Sequence, residues 1–353
     1  MSCAYPLWRM DFEKARRLYE LPSVFEKRQH NGGVILSKEE AAYFKQLYPL
    51  LASSIVQVPC GKCISCRLSY SRDWANRCMS ELKTNPYAFF LTLTYDDNHL
   101  NFAPFVDSED GTVSQCPCLV PSDFTKFMKR LRIYCQREGI ANEIRFFGCG
   151  EYGDDSARPH YHVIIYGFTP PEQGRHIWRH PSADVPVLWT HKIFEELWPF
   201  GLSCYGDVTW ESCAYVARYC MKKRKGLDRA AQKAAQEAFG FPPWPEEFVR
   251  MSRRPGLGRD FYDRNKDTIY KTDEMFVPVK GSISSVKPAR YFDRLYDVEN
   301  PDRMKDIKLN RQRCADNAMR SILLRTDKTE EDYLEQLAAA KLDQSRRLVR
   351  PEI

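Results

Sequence analysis

The stretch EIRFFGCGEYGDDSARPHYHVIIYG, residues 143–167, decides how this chain folds. EIRFFGCGEYG (143–153) reads as a strand ending in glycines, and RPHYHVIIYG (158–167) as a second strand. The turn-forming DDSA between them predicts an antiparallel hairpin. His160 and His162 flank Tyr161. Alternate residues of a strand share a face, so the two imidazoles sit side by side. Val163, Ile164 and Ile165 are apolar on both faces, which predicts a central strand covered on both sides. Glu151 closes the preceding strand, and the hairpin returns it to the neighbourhood of His160. Two imidazoles and a carboxylate make a three-ligand metal site with open positions. Read blandly, the two histidines are merely hydrogen-bonded. The donor set suits zinc in a hydrolase, or a harder divalent ion completed by phosphate and water.

Upstream, YAFFLTLTY (87–95) is aromatic and β-branched and reads as another strand. Residues 101–121 read as a loop. In PSDFTKFMKRLRIYCQRE (121–138), Phe124, Phe127, Met128 and Leu131 recur at helical spacing, with Lys126, Lys129, Arg130 and Arg132 on the other faces. This predicts an amphipathic helix. Residues 168–200 are weakly patterned, and SCYGDVTW (203–210) is a further candidate strand. Residues 1–85 read as irregular and polar, apart from a Cys-rich knot at 59–78 that runs into a helix from Arg67 to Leu82. Beyond about 226 the chain becomes loop-rich and basic, then helical and polar, with Thr329 and Asp332 forming a capping box. The organisation expected is a Cys-rich segment at 1–85, an α+β core at 86–226 and a loop-rich, helical region at 227–353.

The net charge of +6 over 353 residues is mild; it permits a polyanionic partner without requiring one. MSCAYPLWRM has no signal-peptide pattern, and no apolar run approaches the roughly 18 residues of a membrane span. Thirteen cysteines, an odd number, several of them inside core-like segments, argue for reduced thiols rather than a secreted disulfide framework. Cys60, Cys63 and Cys66 have C-x₂-C-x₂-C spacing. Three thiols in seven residues suit a structural zinc, which takes four ligands. Cys78 and Cys3 are the alternatives for the fourth. An iron–sulfur site, or three small buried thiols bridging a turn, stays open as well.

YVARYCMKK (215–223) puts Tyr215 and Tyr219 on one helix face, with Lys222 continuing the stripe. Cys213, Val216, Ala217 and Cys220 make a separate apolar stripe, so the tyrosines are not simply the core face. They are either amphipathic filler or nucleophiles. A phenol can attack phosphorus and hold it as a covalent ester, with a metal and a lysine favouring phenolate. Two phenols allow two successive transfers. Arg218, Lys222, Lys223, Arg224 and Lys225 form a cationic patch beside them, suited to phosphate contacts. SRRPGLGR (252–259) is a second candidate phosphate-binding loop.

An FLTLTY strand (90–95), an HxH strand (160–162) and a Tyr-x-x-x-Tyr helix with lysines (215–223) follow one another in order. This order resembles the HUH endonuclease superfamily, the tyrosine nucleases that start rolling-circle DNA replication. PCGKCISCR, GEYGDDSARPHYH, YVARYCMKK and RRPGLG resemble, more closely, the replication initiation proteins of small single-stranded DNA phages, the gokushovirus branch of the microviruses. The resemblance covers about residues 59–265. It implies an α+β fold, ferredoxin- or RRM-like, with a central antiparallel sheet of about five strands and the tyrosine helix packed beside the HxH strand. It implies Mg²⁺ or Mn²⁺ on His160 and His162, with Glu151 chosen here as the third ligand. It implies nicking of single-stranded viral origin DNA, a 5′-phosphotyrosine link through Tyr215 or Tyr219, a free 3′-OH, and rejoining into a circle. Tyr161 departs from the usual aliphatic residue between the histidines. No Walker-type phosphate loop is present, so a host helicase and polymerase in the bacterial cytoplasm are the expected partners. The alternatives are a relaxase or transposase with the same chemistry, a non-catalytic nucleic-acid-binding protein with structural zinc, and a zinc hydrolase of small molecules.

Overall fold

A computed structural model describes residues 3–20, 25, 29–30, 33–140, 143–153, 156–181, 186–222, 227–279 and 281–347; side chains at 218–222 are outside the description. The chain divides into two compact units, Met1–Ser69 with Leu309–Ile353, and Tyr70–Lys308.

The first unit is built rather than irregular. Strands β1 (Leu7–Asp11), β2 (Gln29–His30), β3 (Gly33–Leu36) and β4 (Ile55–Val58) form an antiparallel sheet in the order β2-β3-β1-β4. Helix α1 (Phe12–Leu18) follows β1, and α2 (Lys38–Leu47) follows β3. Met10, Val34 and Ile55 pack with Phe12 and Ala15 of α1 and Ala41 and Phe44 of α2. Ser37 and Glu40 start α2 with a reciprocal capping box. The strands hold two to five residues and pair across long separations, Leu7 with Val58. No local periodicity announces them.

Helix α3 (Ile64–Thr84) leads into the second unit and is the helix expected after the Cys knot. Next come β5 (Ala88–Thr94), β6 (Phe102–Val106), β7 (Val113–Pro117), α4 (Pro121–Arg137), β8 (Arg145–Tyr152) and β9 (Pro159–Tyr166). They are followed by β10 (Arg175–Arg179), β11 (Leu188–His191), α5 (Lys192–Leu197), β12 (Ser203–Gly206), α6 (Trp210–Lys222) and α7 (Leu227–Ala238). The second unit continues with β13 (Phe248–Met251), α8 (Arg259–Thr272), β14 (Met275–Val279), β15 (Ser282–Val286), α9 (Arg290–Glu299) and the start of α10 (Pro301–Leu323); the rest of α10 and α11 (Glu330–Arg347) belong to the first.

One antiparallel sheet in the order β10-β11-β12-β5-β9-β8-β13 organises the second unit. It has seven strands, more than the resemblance implies, with β10 and β13 at its edges. The fold class is the α+β architecture expected. The 101–121 loop is in fact the β6–β7 hairpin, docked on α7 where Gln232 and Gln236 bond both backbone groups of Val106.

Strand β9 is flanked by β5 and β8, and its residues divide cleanly between two faces. Tyr161, Val163 and Ile165 join Leu91 and Leu93 under Phe124, Phe127, Met128 and Leu131 of α4. Burying each such side chain contributes roughly 1.5–3 kcal/mol before entropy is counted. The opposite face carries the histidines and is covered by α3 and α6. Trp74 stacks on Phe147, and the Tyr166 hydroxyl donates to the Cys78 carbonyl.

Candidate active site

The hairpin register is the one the sequence implies. Glu151 stands opposite His160, Cys149 opposite His162, and on the other side Thr94 and Thr92 stand opposite the same two histidines. All six side chains therefore share one face. His162 is buried, and its Nε2 donates to Glu151 Oε1 at 2.8 Å. Its Nδ1 lies 2.9 Å from Thr92 Oγ1, so the hydroxyl donates and the tautomer is fixed. Thr94 Oγ1 lies 3.1 Å from His160 Nδ1, within hydrogen-bond reach. Both rings thus turn Nε2 away from β5. Sequence reasoning misses Thr92 and Thr94 as site residues. Their signal is the even spacing in FLTLTY, which puts two hydroxyls on one face of a strand beside two imidazoles.

Helix α6 brings the tyrosine. Reciprocal bonds between Thr209 and Ser212 start it. Trp210 Nε1 donates to Asn76, and Ser71 donates to the Ala214 carbonyl, tying it to α3. Cys213, Val216 and Ala217 are fully buried, the apolar stripe read from the sequence. Tyr215 is half-buried off that stripe. Its ring stands nearly perpendicular to the His162 imidazole, with centroids 5.3 Å apart, and edge-on to Phe90 at 6.2 Å. Phe90 in turn stacks on His162. Tyr219, Arg218 and Lys222 lie on the same helix, but their side chains, like Lys223, Arg224 and Lys225 altogether, are outside the described residues.

Two imidazoles and a carboxylate could hold a divalent cation. Cis ligands of an octahedral ion bound at about 2.1 Å are about 3.0 Å apart, close to the Glu151–His162 separation. His160 and His162 ring centroids are 6.3 Å apart, so the three residues are not drawn into a tight cage. A Cβ at Gly153 would stand 3.3 Å from His160 Nε2, so the glycine keeps that nitrogen uncrowded.

Among the described residues, the group whose ligand atoms all come within 4.8 Å of one another is Cys3, Cys60, Cys63 and Cys66, in the first unit. Cys3 and Cys63 sulfurs are 3.9 Å apart, and Cys60 and Cys66 sulfurs 4.0 Å. Sulfurs of a tetrahedral Zn–S₄ site with Zn–S of about 2.3 Å are about 3.8 Å apart. Backbone N–H groups of Lys62 and Cys63 point at Cys60 Sγ, and that of Cys60 at Cys3 Sγ, as thiolate ligands require. Burial pushes the Cys3 and Cys66 thiols up. At Cys63 burial is outweighed by hydrogen bonds from the Cys66 and Ala4 backbone, which draw it down to about 7. The fourth thiol is Cys3; Cys78 is buried beneath β9.

The replication-associated protein ORF2 family matches residues 88–224, from β5 to just past α6. The replication-associated protein ORF2 of Spiroplasma virus 4 is 32% identical over 280 residues, 78% of this chain and 80% of that protein. This chain belongs to that replication-associated family. A second member, replication-associated protein VP4 of Bdellovibrio phage phiMH2K, is 29% identical over 266 residues, 73% and 74% of the two chains. Replication-associated protein ORF4 of Chlamydia phage 1 is 28% identical over 236 residues, 62% and 55%. No solved structure matches the chain. The family match contains Glu151, His160, His162, Tyr215 and Tyr219, and leaves the four-cysteine cluster outside. Among the described residues no helix is long and apolar enough to cross a membrane.

Proposed function

We propose that this family member is a replication initiator that nicks single-stranded DNA at the viral origin and later rejoins the ends. The observation that carries the reading is Tyr215 poised against His162, over the Glu151–His162 pair. In the proposed first step Tyr215 Oη bonds to the scissile phosphorus as the P–O3′ bond breaks. The phenolic proton is lost, the 3′ oxygen takes one up, and a 5′-phosphotyrosine and a free 3′-OH remain. Tyr219, one helical turn on, repeats the attack, and reversal of the chemistry joins the displaced strand into a circle. Lys222 is assigned to favouring the phenolate, and Arg218, Lys223, Arg224 and Lys225 to DNA phosphates. Glu151, His160 and His162 would hold Mg²⁺ or Mn²⁺, which when bound supplies positive charge at the phosphate oxygens. Thr92 and Thr94 orient the imidazoles from behind. Cys3, Cys60, Cys63 and Cys66 would hold a structural zinc. Unwinding and synthesis fall to host helicase and polymerase.

The test is to incubate the protein with single-stranded origin oligonucleotides and Mn²⁺ and resolve the products on a denaturing gel. A covalent protein–DNA adduct is expected from the wild type and none from the Tyr215→Phe, Tyr219→Phe double variant. A folded protein that gives no adduct with its cognate origin refutes the reading.

A further inference from the structure

The turn that follows β13 absorbs more buried charge than a connection needs. Residues 248–259, FVRMSRRPGLGR, hold four arginines and no acid. Arg250 donates to the Pro121 carbonyl, and Arg259 pairs with Asp263. Arg253 and Arg254 are exposed and have no ion-pair partner among the described residues.

Beneath them lie three buried charged side chains, Arg77, Glu81 and Arg145. Glu81 Oε1 accepts from Arg145 Nε at 2.6 Å, and its Oε2 accepts from the Gly258 N–H at 2.7 Å. Arg145 also donates to the Pro255 carbonyl at 3.1 Å. Arg77 donates twice to the Leu257 carbonyl, at 3.1 and 3.3 Å, with its guanidinium 4.1 Å from both the Trp74 and Tyr291 rings. Leu257 is fully buried, and Gly256 and Gly258 leave no room for a side chain against Tyr291 and Phe292. Burying charge is costly, and here its hydrogen bonds end on the backbone of one surface turn. The turn is fixed from within, with its carbonyls drawn inward and two arginines left outside. With the backbone of the turn held, gripping phosphate costs these arginines side-chain freedom alone, and the planar fork keeps that cost low for each hydrogen bond formed.

The turn lies a few nucleotides' length from the candidate nucleophile: Arg145, which bonds its Pro255 carbonyl, stands opposite Tyr166, four residues or roughly 13 Å along β9 from His162. Met251 pairs with Phe147, Phe147 with Ile164, and Ile164 with Phe90, whose ring meets Tyr215. From β5, which carries Phe90, to β13 is three strand spacings, roughly 14 Å. Helix α6 packs on β8, β9 and β13, and so leads to this edge.

We propose that the 253–258 turn is a DNA-backbone clamp, in which Arg253 and Arg254 grip phosphates of the strand flanking the scissile one without reading its sequence. The proposal rests on the DNA-nicking reading of Tyr215. The test compares Tyr215→Phe with the same protein carrying Arg253→Ala and Arg254→Ala, by fluorescence anisotropy on a labelled origin oligonucleotide and a scrambled one. Two lost phosphate contacts should lower the slope of log K against log salt by about 1.4 and weaken binding roughly tenfold at 0.15 M salt, equally for both oligonucleotides. Unchanged slope and affinity overturn the clamp, as does a loss confined to the origin sequence. Wild-type adduct with undiminished affinity in the arginine variant sinks the clamp alone. Tenfold weaker binding with no adduct from the wild type keeps the clamp and sinks the nicking reading.

Discussion

Cys3→Ser tests whether the four-cysteine cluster is a structural clasp. Cys3 and Cys60 are 57 residues apart, and β1 and β4, which they adjoin, pair directly. Tying the ends of a loop of that length removes about 14 cal/mol/K from the unfolded chain, or about 4 kcal/mol at 25 °C. That is a ceiling, because Cys60, Cys63 and Cys66 remain to hold a weaker site. Local opening free energy is read by amide hydrogen exchange, where 1.36 kcal/mol is one decade. Protection of β1 and β4 amides should therefore fall by up to about a thousandfold. Zinc measured by elemental analysis should drop below one per chain. Cys314→Ser, at an exposed thiol, is the control and should change neither quantity. If Cys3→Ser keeps a full zinc and wild-type exchange, Cys3 is not a ligand and the loop-closure reasoning fails.

Thr92→Val removes the hydroxyl on His162 Nδ1 while keeping the side-chain shape, and Mn²⁺ affinity should fall about 10- to 100-fold by titration followed with electron paramagnetic resonance. Wild-type affinity would show that the threonine does not orient the ring. Glu81→Leu leaves buried Arg145 with only the exposed Glu143 carboxylate as a counter-ion and the Gly258 N–H without its acceptor, and should cost about 3 kcal/mol in urea unfolding, far more than any exposed ion pair of this chain. Tyr161→Phe takes the hydroxyl from both backbone groups of Val120 and should cost about 1–3 kcal/mol by the same measurement. A neutral result there would mean that water replaces the hydroxyl.

What the sequence made legible follows from periodicity. The two-residue repeat across residues 145–166 placed Glu151, His160 and His162 on one face, and the helical repeat of Phe124, Phe127, Met128 and Leu131 placed α4 on the other. The two stripes of α6 put Tyr215 off the core. The first unit was illegible because its short strands find partners far away in the chain, and Cys3 reaches the other three cysteines only through that pairing. The β6–β7 hairpin did carry a signal. Asp110 and Gly111 form its turn, with Gly111 at positive φ, but the proline- and cysteine-bearing strands beside it lack clear alternation. Thr92 and Thr94 looked like ordinary strand formers until the register set them against imidazole nitrogens.

Tyr161 has a consequence for the uniqueness of the fold. Burial pushes its phenol up to about 12, so it stays neutral; its hydroxyl accepts from the Val120 N–H and shares its one proton between the Val120 carbonyl and Tyr95 Oη, while Tyr95 donates to Asp123. A slide of β9 by two residues would keep every apolar side chain on its proper face, so the hydrophobic pattern alone does not forbid it. Such a slide would carry the Tyr161 hydroxyl away from its partners and leave polar groups stranded in the core. The aromatic residue between the two histidines thus acts as an index mark. It admits one alignment of the hairpin, the alignment in which carboxylate and imidazoles meet.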